Sequence, residues 1–193
     1  MKLALAEIAR YMRMGREVPE GELAARVEKM LAEAERTFDC RRRFRRFRFA
    51  DLGFESPKLE RHLGGCEEVY LSCGTIGAAF DALLRRASAV SGLDALIVQA
   101  IGAAAVEKFM DSVDDEIRAE LAPGETLLSR YSPGYGDFPL AASGKILELL
   151  DAPRRIGVSL TENLLLVPSK TVTAVIGVAG LEIRDRESGI SKR

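Results

Sequence analysis

Residues 125–178 constrain the fold more than any other part of this 193-residue chain. They begin with ETLLSRYSPGYGDFPL, in which residues 126–130 have the composition of a strand. Pro133-Gly134 and Gly136-Asp137 then predict tight turns, because proline fixes φ and glycine tolerates positive φ. A short helical pattern and two segments rich in β-branched residues complete the stretch. Strands, turns and a helix within so few residues indicate mixed α and β structure.

The turn carries side chains that suit ligand binding: a guanidinium on Arg130 and aromatic rings on Tyr131 and Tyr135. Arginine matches the geometry of a carboxylate through paired hydrogen bonds, and tyrosine offers a flat face and a hydroxyl. The loop therefore suits a ligand with a carboxylate and a flat group. On this motif alone a second interpretation stays open, in which proline and glycine only shape a hairpin and the tyrosines pack on it.

Apolar periodicity predicts the remaining elements. Helices are predicted at residues 3–14, 22–38, 57–63, 78–90, 93–121 and 142–150. Strands are predicted at residues 41–49, 67–72, 126–130, 157–167 and 171–178, with 181–183 as an extension. The predicted fold class is α+β: a curved antiparallel sheet packs against the long helix at 93–121, with the N-terminal helices added at one side. We expect a single domain, with a helical extension (1–40), an α+β core (41–183) and a polar tail (184–193).

Composition excludes several classes of protein. The net charge of -1 does not fit a protein that binds nucleic acid through its overall charge. The three cysteines form no CxxC pair, which argues against a disulfide framework and a zinc site. His62 is the only histidine, which argues against histidine-based metal sites and catalytic triads. No signal peptide is recognisable and the most apolar run, near residues 96–106, is too short to span a bilayer, so we predict a cytoplasmic protein.

Residues 41–48 contain six arginines in the pattern RRRFRRFR. Three interpretations stay open. The segment can be a solvated edge strand protected by charge, balanced by Asp114, Asp115 and Glu116. It can be a docking surface for an acidic protein such as a flavodoxin-type electron donor, or it can contact a nucleic-acid backbone. The nearly neutral net charge favours the first interpretation.

Two motifs together resemble the activation domain of cobalamin-dependent methionine synthase. They are RYSPGYGDFP from Arg130 and SLTENLLLVPSKTVTAV from Ser159. That family has R-x-x-P-G-Y-x-x-x-P, then L-T-E-S, then a proline and a V-S-G-like strand. The run QAIGAAAVEKF from Gln99 resembles the family's helix before the arginine. The resemblance covers residues 69–183, and since the first residues do not share it, the chain looks like a small stand-alone relative of that domain.

The resemblance implies a function in cofactor repair. The family's activation domain binds S-adenosylmethionine. Cob(II)alamin receives an electron from a flavodoxin-type donor, and the methyl group of S-adenosylmethionine traps the cob(I) form as methylcobalamin. This reaction needs no general acid or base from the domain, because cobalamin and the sulfonium carry the chemistry. The implied partners are a cobalamin-dependent methionine synthase and a flavodoxin-type donor, with no nucleic acid and no membrane.

The resemblance also assigns ligand contacts, one residue at a time. Arg130 is expected to pair with the methionyl carboxylate, and Glu107 to lie near the ammonium group. The backbone of Ser132, Pro133 and Gly134 is expected to contact the adenosine or methionyl part, while Tyr135 lines the pocket. Thr161 and Glu162 match the L-T-E step, where we favour a structural role. No catalytic residue and no metal site are expected.

Two departures from the family pattern keep other functions open. No equivalent of the family's N-terminal aspartate contact can be placed in residues 1–60, and residues 177–180 contain no tyrosine where the family has one. No D-x-H-x-x-G cobalamin motif occurs, so cobalamin must come from a separate protein. The alternatives are an interaction module that has lost the small-molecule site, and a binder of another nucleoside or carboxylate ligand.

Overall fold

A computed structural model of the chain describes residues 2–15 and 17–180. The helices are α1 (Leu5–Tyr11), α2 (Gly21–Glu35), α3 (Pro57–Leu63), α4 (Ala78–Val90), α5 (Gly92–Glu120), α6 (Ala142–Leu149) and α7 (Ala152–Ile156). The strands are β1 (Arg41–Arg48), β2 (Glu68–Thr75), β3 (Thr126–Leu127), β4 (Ser159–Leu160), β5 (Leu166–Val167) and β6 (Thr171–Ala179). The predicted strand extension at 181–183 and the polar tail at 184–193 lie outside the described residues.

The main sheet has four strands in the order β1-β2-β6-β3, and β4 and β5 form a second sheet. Strands β2 and β6 are buried along almost their whole length, whereas β1 is largely exposed. This difference follows from sequence, since the two central strands are apolar on both faces and β1 is rich in arginine. The predicted α+β class, with an antiparallel sheet and one long helix, is confirmed.

The chain divides into two compact units. Unit 1 takes the described residues of Met1–Arg41, Gly74–Asp111 and Leu166–Thr171, and unit 2 takes those of Arg42–Cys73, Ser112–Leu165 and Val172–Arg193. Helix α5 and strands β1, β2 and β6 contribute residues to both units. The single domain expected from the sequence stays a prediction.

In unit 1, the small residues of α5 allow close packing. A Cβ atom on Gly102 would lie 2.6 Å from Cζ of Phe80 and 2.7 Å from Cε of Lys170. The Phe80 ring is fully buried and packs on Phe38 with ring centroids 6.0 Å apart. The aliphatic stem of Lys170 lies beside the same glycine, and its ammonium donates to the carbonyl of Gln99. The small-residue run thus accommodates an aromatic ring and a lysine stem.

In unit 2, α3 has the bounds predicted from sequence. Ser56 caps its first turn by accepting a hydrogen bond from the Leu59 amide at 3.1 Å, and Pro57 occupies the first helical position. Gly64 ends the helix at φ 60°, in the left-handed region that favours glycine. Leu63 faces the sheet, where a Cβ atom on Gly177 would lie 3.1 Å from its Cδ2.

The prediction of one continuous strand at 157–167 is wrong. Residues 159–160 and 166–167 form β4 and β5, and a tight turn separates them. Leu164 lies at φ 60°, and a left-handed residue cannot continue a strand. The Thr161 amide donates to the Leu165 carbonyl, and its hydroxyl accepts from the Leu165 amide at 3.1 Å. Thr161 therefore holds a turn, which is a structural role.

The strand predicted at 126–130 is regular only over its first two residues. Thr126 and Leu127 pair antiparallel with Ala179 and Val178 of β6. Pairing resumes at Tyr131, which exchanges two hydrogen bonds of 2.9 Å with Val175. The chain from Leu127 to Tyr131 has one residue more than the matching stretch of β6, so it bulges at residues 128–130. Bulges redirect side chains, and this one lies where Arg130 leaves the sheet.

Candidate functional site

The candidate site is the loop that follows this bulge in unit 2, residues 130–138. The Gly134 amide donates to the Phe138 carbonyl at 2.8 Å, and the Tyr135 amide donates to the Ser132 carbonyl at 3.2 Å. Gly134 and Gly136 adopt φ values of 94° and 60°, which favour glycine. The loop is therefore a compact double turn, as its Pro-Gly and Gly-Asp dipeptides predict.

One end of the loop is fixed to the start of α3. The Asp137 carboxylate accepts hydrogen bonds from the Ser56 hydroxyl and from the Lys58 amide, the latter at 3.3 Å. The hydrogen bond from Ser56 lowers the pKa of Asp137 below its ordinary value. A negative charge at a helix N-terminus is also favourable. These contacts hold the loop against α3.

The other end of the loop is held by His62, near the end of α3. Its Nε2 atom lies 2.8 Å from the Ser129 carbonyl oxygen. Because a carbonyl only accepts, Nε2 carries the proton. The His62 ring packs on the Tyr131 ring with centroids 4.9 Å apart. The centroid of the Tyr131 ring also lies 6.3 Å from that of Phe138, which is buried. Both ends of the loop are therefore pinned by one helix, which makes its geometry rigid.

Arg130 is held by an acidic side chain of α5. Its Nη1 atom donates to Oδ2 of Asp114 at 2.5 Å. The side chains of Arg130 and Asp114 are only 16% and 10% exposed, respectively. At such low exposure an ion pair is weakly screened by solvent. A ligand carboxylate at Arg130 would therefore share the guanidinium with Asp114.

The other predicted contacts differ in accessibility. Ser132 is half-buried, Pro133 is buried, and Gly134 and Tyr135 are exposed, with 67% of Tyr135 accessible to solvent. The Tyr131 hydroxyl donates to the Tyr135 carbonyl at 3.4 Å. These residues lie together in one loop with Arg130, because they are contiguous in sequence. Glu107 lies on α5 in unit 1 and is half-buried.

Sequence reasoning missed the residues that fix the loop, namely Asp114, Ser56 and His62. It assigned the three acids of α5 to the arginines of β1, where the structure places Glu116 as the partner of Arg42. Asp115 pairs with Arg118, and Asp114 pairs with Arg130 instead. No local signal distinguishes Asp114 from its acidic neighbours, because its pairing depends on tertiary packing.

The described residues show two further features. Within residues 2–15 and 17–180, none of the helices is both long enough and apolar enough to cross a membrane. In the same part of the chain, we find no group of three or more histidine, cysteine or acidic side chains placed to hold a metal ion.

Comparison with known proteins supports the fold. No family model and no curated protein matches the sequence. Among solved structures, the chain is similar to the "Crystal Structure of the MetH Reactivation Domain bound to AdoHcy". The match has a TM-score of 0.53 and 17% sequence identity, and it covers 82% of this chain and 67% of that one. The chain therefore has the fold of the MetH reactivation domain, as the motif resemblance predicted.

Proposed function

We propose that this chain binds S-adenosylmethionine at the 130–138 loop and serves in trans as a reactivation subunit of a cobalamin-dependent methionine synthase. The observation that carries the proposal is the pinned loop with its half-buried Arg130, in a chain of this fold. The similar solved domain is described as bound to AdoHcy, the demethylated form of the same ligand. A rigid loop favours binding, since little conformational freedom is lost when the ligand arrives.

The proposed contacts follow the chemistry of the ligand. The Arg130 guanidinium takes the methionyl carboxylate, because it can offer paired N–H donors to a planar anion. The Tyr135 ring, largely accessible, offers a face to the adenine. Backbone groups of Ser132, Pro133 and Gly134 contact the remainder.

The chain's role in this proposal is to bind and orient the methyl donor. Cobalamin, held by the partner synthase, would supply the methyl-accepting cobalt, and a flavodoxin-type donor would supply the electron. The proposed chemistry asks neither a general acid nor a general base of the loop, because cobalamin and the sulfonium carry it. This role would be carried out in the cytoplasm.

The pairing of Arg130 with Asp114 favours a second candidate function. An arginine already satisfied by an internal carboxylate is what an interaction module would retain after losing its small-molecule site. The missing counterparts of the family's aspartate and tyrosine contacts point the same way. A third candidate, a binder of another nucleoside or carboxylate ligand, would reveal itself as an unexpected small molecule in mass spectra of the purified protein.

Calorimetric titration of S-adenosylmethionine into the wild type and Arg130→Ala tests the site. Loss of a charge-assisted contact should cost about 2 kcal/mol, or about thirtyfold in affinity. Arg130→Lys keeps the charge beside Asp114 but removes the planar fork, so it should also weaken binding. Arg85→Ala is the matched control, because Arg85 is exposed and has no ion pair among the described residues. Absence of wild-type binding at millimolar ligand would refute the proposal.

The proposed action in trans has its own test. A synthase that lacks its reactivation domain is inactivated by oxidation to the cob(II) state, then given reductant, S-adenosylmethionine and the purified chain. We expect recovery of methionine synthesis with the wild type, less with Arg130→Ala, and full recovery with Arg85→Ala. Ligand binding without any recovery would separate a binding protein from a reactivation subunit.

A further inference from the structure

Strand β1 lies at the edge of the four-stranded sheet, next to β2. It is eight residues long, and its residues are exposed or half-buried throughout. The outer edge of such a strand presents backbone N–H and C=O groups that can pair with another extended chain. A long edge strand is therefore a potential docking site for an added strand.

Four of the six arginines of β1, at positions 42, 43, 45 and 46, fall into two groups. Arg42 pairs with Glu116, and Arg46 pairs with both Glu68 and Glu125. Arg43 and Arg45 are exposed, and among the described residues neither forms an ion pair with a carboxylate. Part of the positive charge of β1 is thus neutralised within the protein, and part of it faces solvent.

These two groups lie on opposite faces of the strand. The Arg45 guanidinium stacks over the Phe47 ring at 4.3 Å from its centroid, so these alternate residues share a face. Arg43 belongs to the same face by alternation. The unneutralised charge of Arg43 and Arg45 therefore lies on one face of the strand, whereas Arg48, which is also exposed, belongs to the other face by alternation.

The other face of β1 borders a groove of about 580 Å³. Its lining includes Arg42, Phe44 and Arg46 together with Tyr70, Glu116 and Glu120, and Arg43 and Arg45 also border it. The rings of Phe44 and Tyr70 pack with centroids 6.1 Å apart, and the Tyr70 hydroxyl donates to Glu120 at 3.4 Å. This face combines aromatic surface with arginines that already have acidic partners.

We propose that β1 binds an extended acidic segment of a partner protein by strand addition. Carboxylates at alternate positions of that segment face Arg43 and Arg45, and the apolar side chains between them face the aromatic groove. Directly opposed cross-strand pairs of opposite charge are stabilising, whereas like charges are destabilising. The same arginines therefore oppose pairing of β1 with a second copy of itself while favouring an acidic strand.

An acidic peptide fits this strand edge better than a nucleic-acid backbone does. A phosphate backbone would meet the carboxylates of Glu116 and Glu120 in the groove, and it lacks the alternating amide donors and acceptors that a strand edge recognises. The backbone pattern and the charge pattern thus select the same occupant.

The test uses the full chain and a fluorescein-labelled, end-capped peptide of four Glu-Val repeats, followed by fluorescence anisotropy. We expect binding that weakens as salt rises. Arg43→Glu combined with Arg45→Glu should reduce affinity at least about tenfold, since two attractive pairs become repulsive. The matched control combines Arg36→Glu with Arg85→Glu, which makes the same charge change at exposed arginines in unit 1. Circular dichroism verifies that each variant is folded.

A second pair of probes separates strand addition from simple anion binding. Methylation of alternate amide nitrogens on the edge-facing side of the peptide keeps its charge but removes its donors. We expect this peptide to bind at least about tenfold more weakly, because each backbone hydrogen bond to β1 that it loses contributes on the order of 1 kcal/mol. Equal binding by the methylated peptide, by a blockwise peptide of the same composition or by oligothymidylate overturns the proposal, as does absence of binding at about 1 mM peptide.

Discussion

At the scale of single residues, Asp114 determines how Arg130 meets an anion. Asp114 both orients the guanidinium and competes for it. Asparagine keeps an acceptor oxygen in the same place but removes the negative charge. The two contributions of Asp114 can therefore be separated by substitution.

If Arg130 binds the ligand carboxylate, Asp114→Asn should strengthen binding by about threefold to tenfold, because a competing charge near the anion is removed. Asp114→Ala should weaken it, because the guanidinium loses its positioning partner. Calorimetric titration with S-adenosylmethionine measures both. Identical affinities for both variants and the wild type would mean that the carboxylate lies elsewhere.

Gly102 offers a test of packing in unit 1. Alanine has the higher helix propensity, by about 1 kcal/mol, yet its Cβ would collide with the Phe80 ring and the Lys170 stem. We expect Gly102→Ala to lower the free energy of unfolding by about 1–3 kcal/mol, the usual cost of overpacking. The control is Gly92→Ala in the same helix, where no atom lies within 4 Å of the added Cβ. Urea unfolding compares the two, and equal stabilities would show that unit 1 adjusts freely.

At the scale of secondary structure, the sequence predicted the elements whose ends carry local signals. Helices α3 and α4 have the predicted bounds. Ser56, Pro57 and Gly64 mark the ends of α3 through capping and backbone preferences, which depend only on neighbouring residues. The long helix α5 was predicted to within one residue at each end, because Pro123 and Gly124 follow it.

The elements that sequence missed depend on conformations without a distinctive residue. Leu164 adopts a left-handed conformation that leucine rarely takes. The turn between β4 and β5 therefore has no glycine in the sequence that would indicate it. Asp151, also left-handed, precedes the unpredicted helix α7. In the candidate site, the turn of residues 130–138 was predictable from Pro133, Gly134 and Gly136. Its anchors were not, because Asp137 bonds to residues about eighty positions away.

Arg46 links three segments of unit 2, and its removal tests how much that linkage stabilises them. It bonds to Glu68 at the start of β2 and to Glu125 just before β3, and its side chain is 28% exposed. Arg46→Ala leaves two acids close together without their cation, and we expect it to lower the free energy of unfolding by about 2 kcal/mol. Arg42→Ala removes a more exposed pair and should cost about 0.5 kcal/mol or less. Chemical denaturation measures both, and equal costs would contradict a special role for Arg46.

At the scale of the whole molecule, acidic groups in both units are stabilised in their charged form. Hydrogen bonds are the leading cause in each case: they lower the pKa of Glu7 (from the Ala4 amide), Asp39 (from Arg41), Asp94 (from Arg26), Glu125 (from Arg46) and Asp137 (from Ser56). The ordinary values are 3.8 for aspartate and 4.5 for glutamate. Protonation of these groups therefore lowers the free energy of unfolding.

The direction of the resulting pH dependence is fixed by linkage. Near and below the ordinary values the unfolded chain binds more protons than the folded chain, so the free energy of unfolding decreases as the pH falls. We expect stability to be nearly constant between about pH 5 and about pH 7 and to decline progressively below about 4.5. Urea unfolding at a series of pH values measures this decline.

Asp137→Asn keeps an acceptor for Ser56 but cannot titrate, so the decline of its stability with falling pH should be shallower than that of the wild type. Glu162→Gln, at an exposed position in the β4–β5 turn, serves as the control and should follow the wild-type curve. Parallel curves for the wild type and Asp137→Asn would show that the contacts of Asp137 with α3 do not favour its charged form.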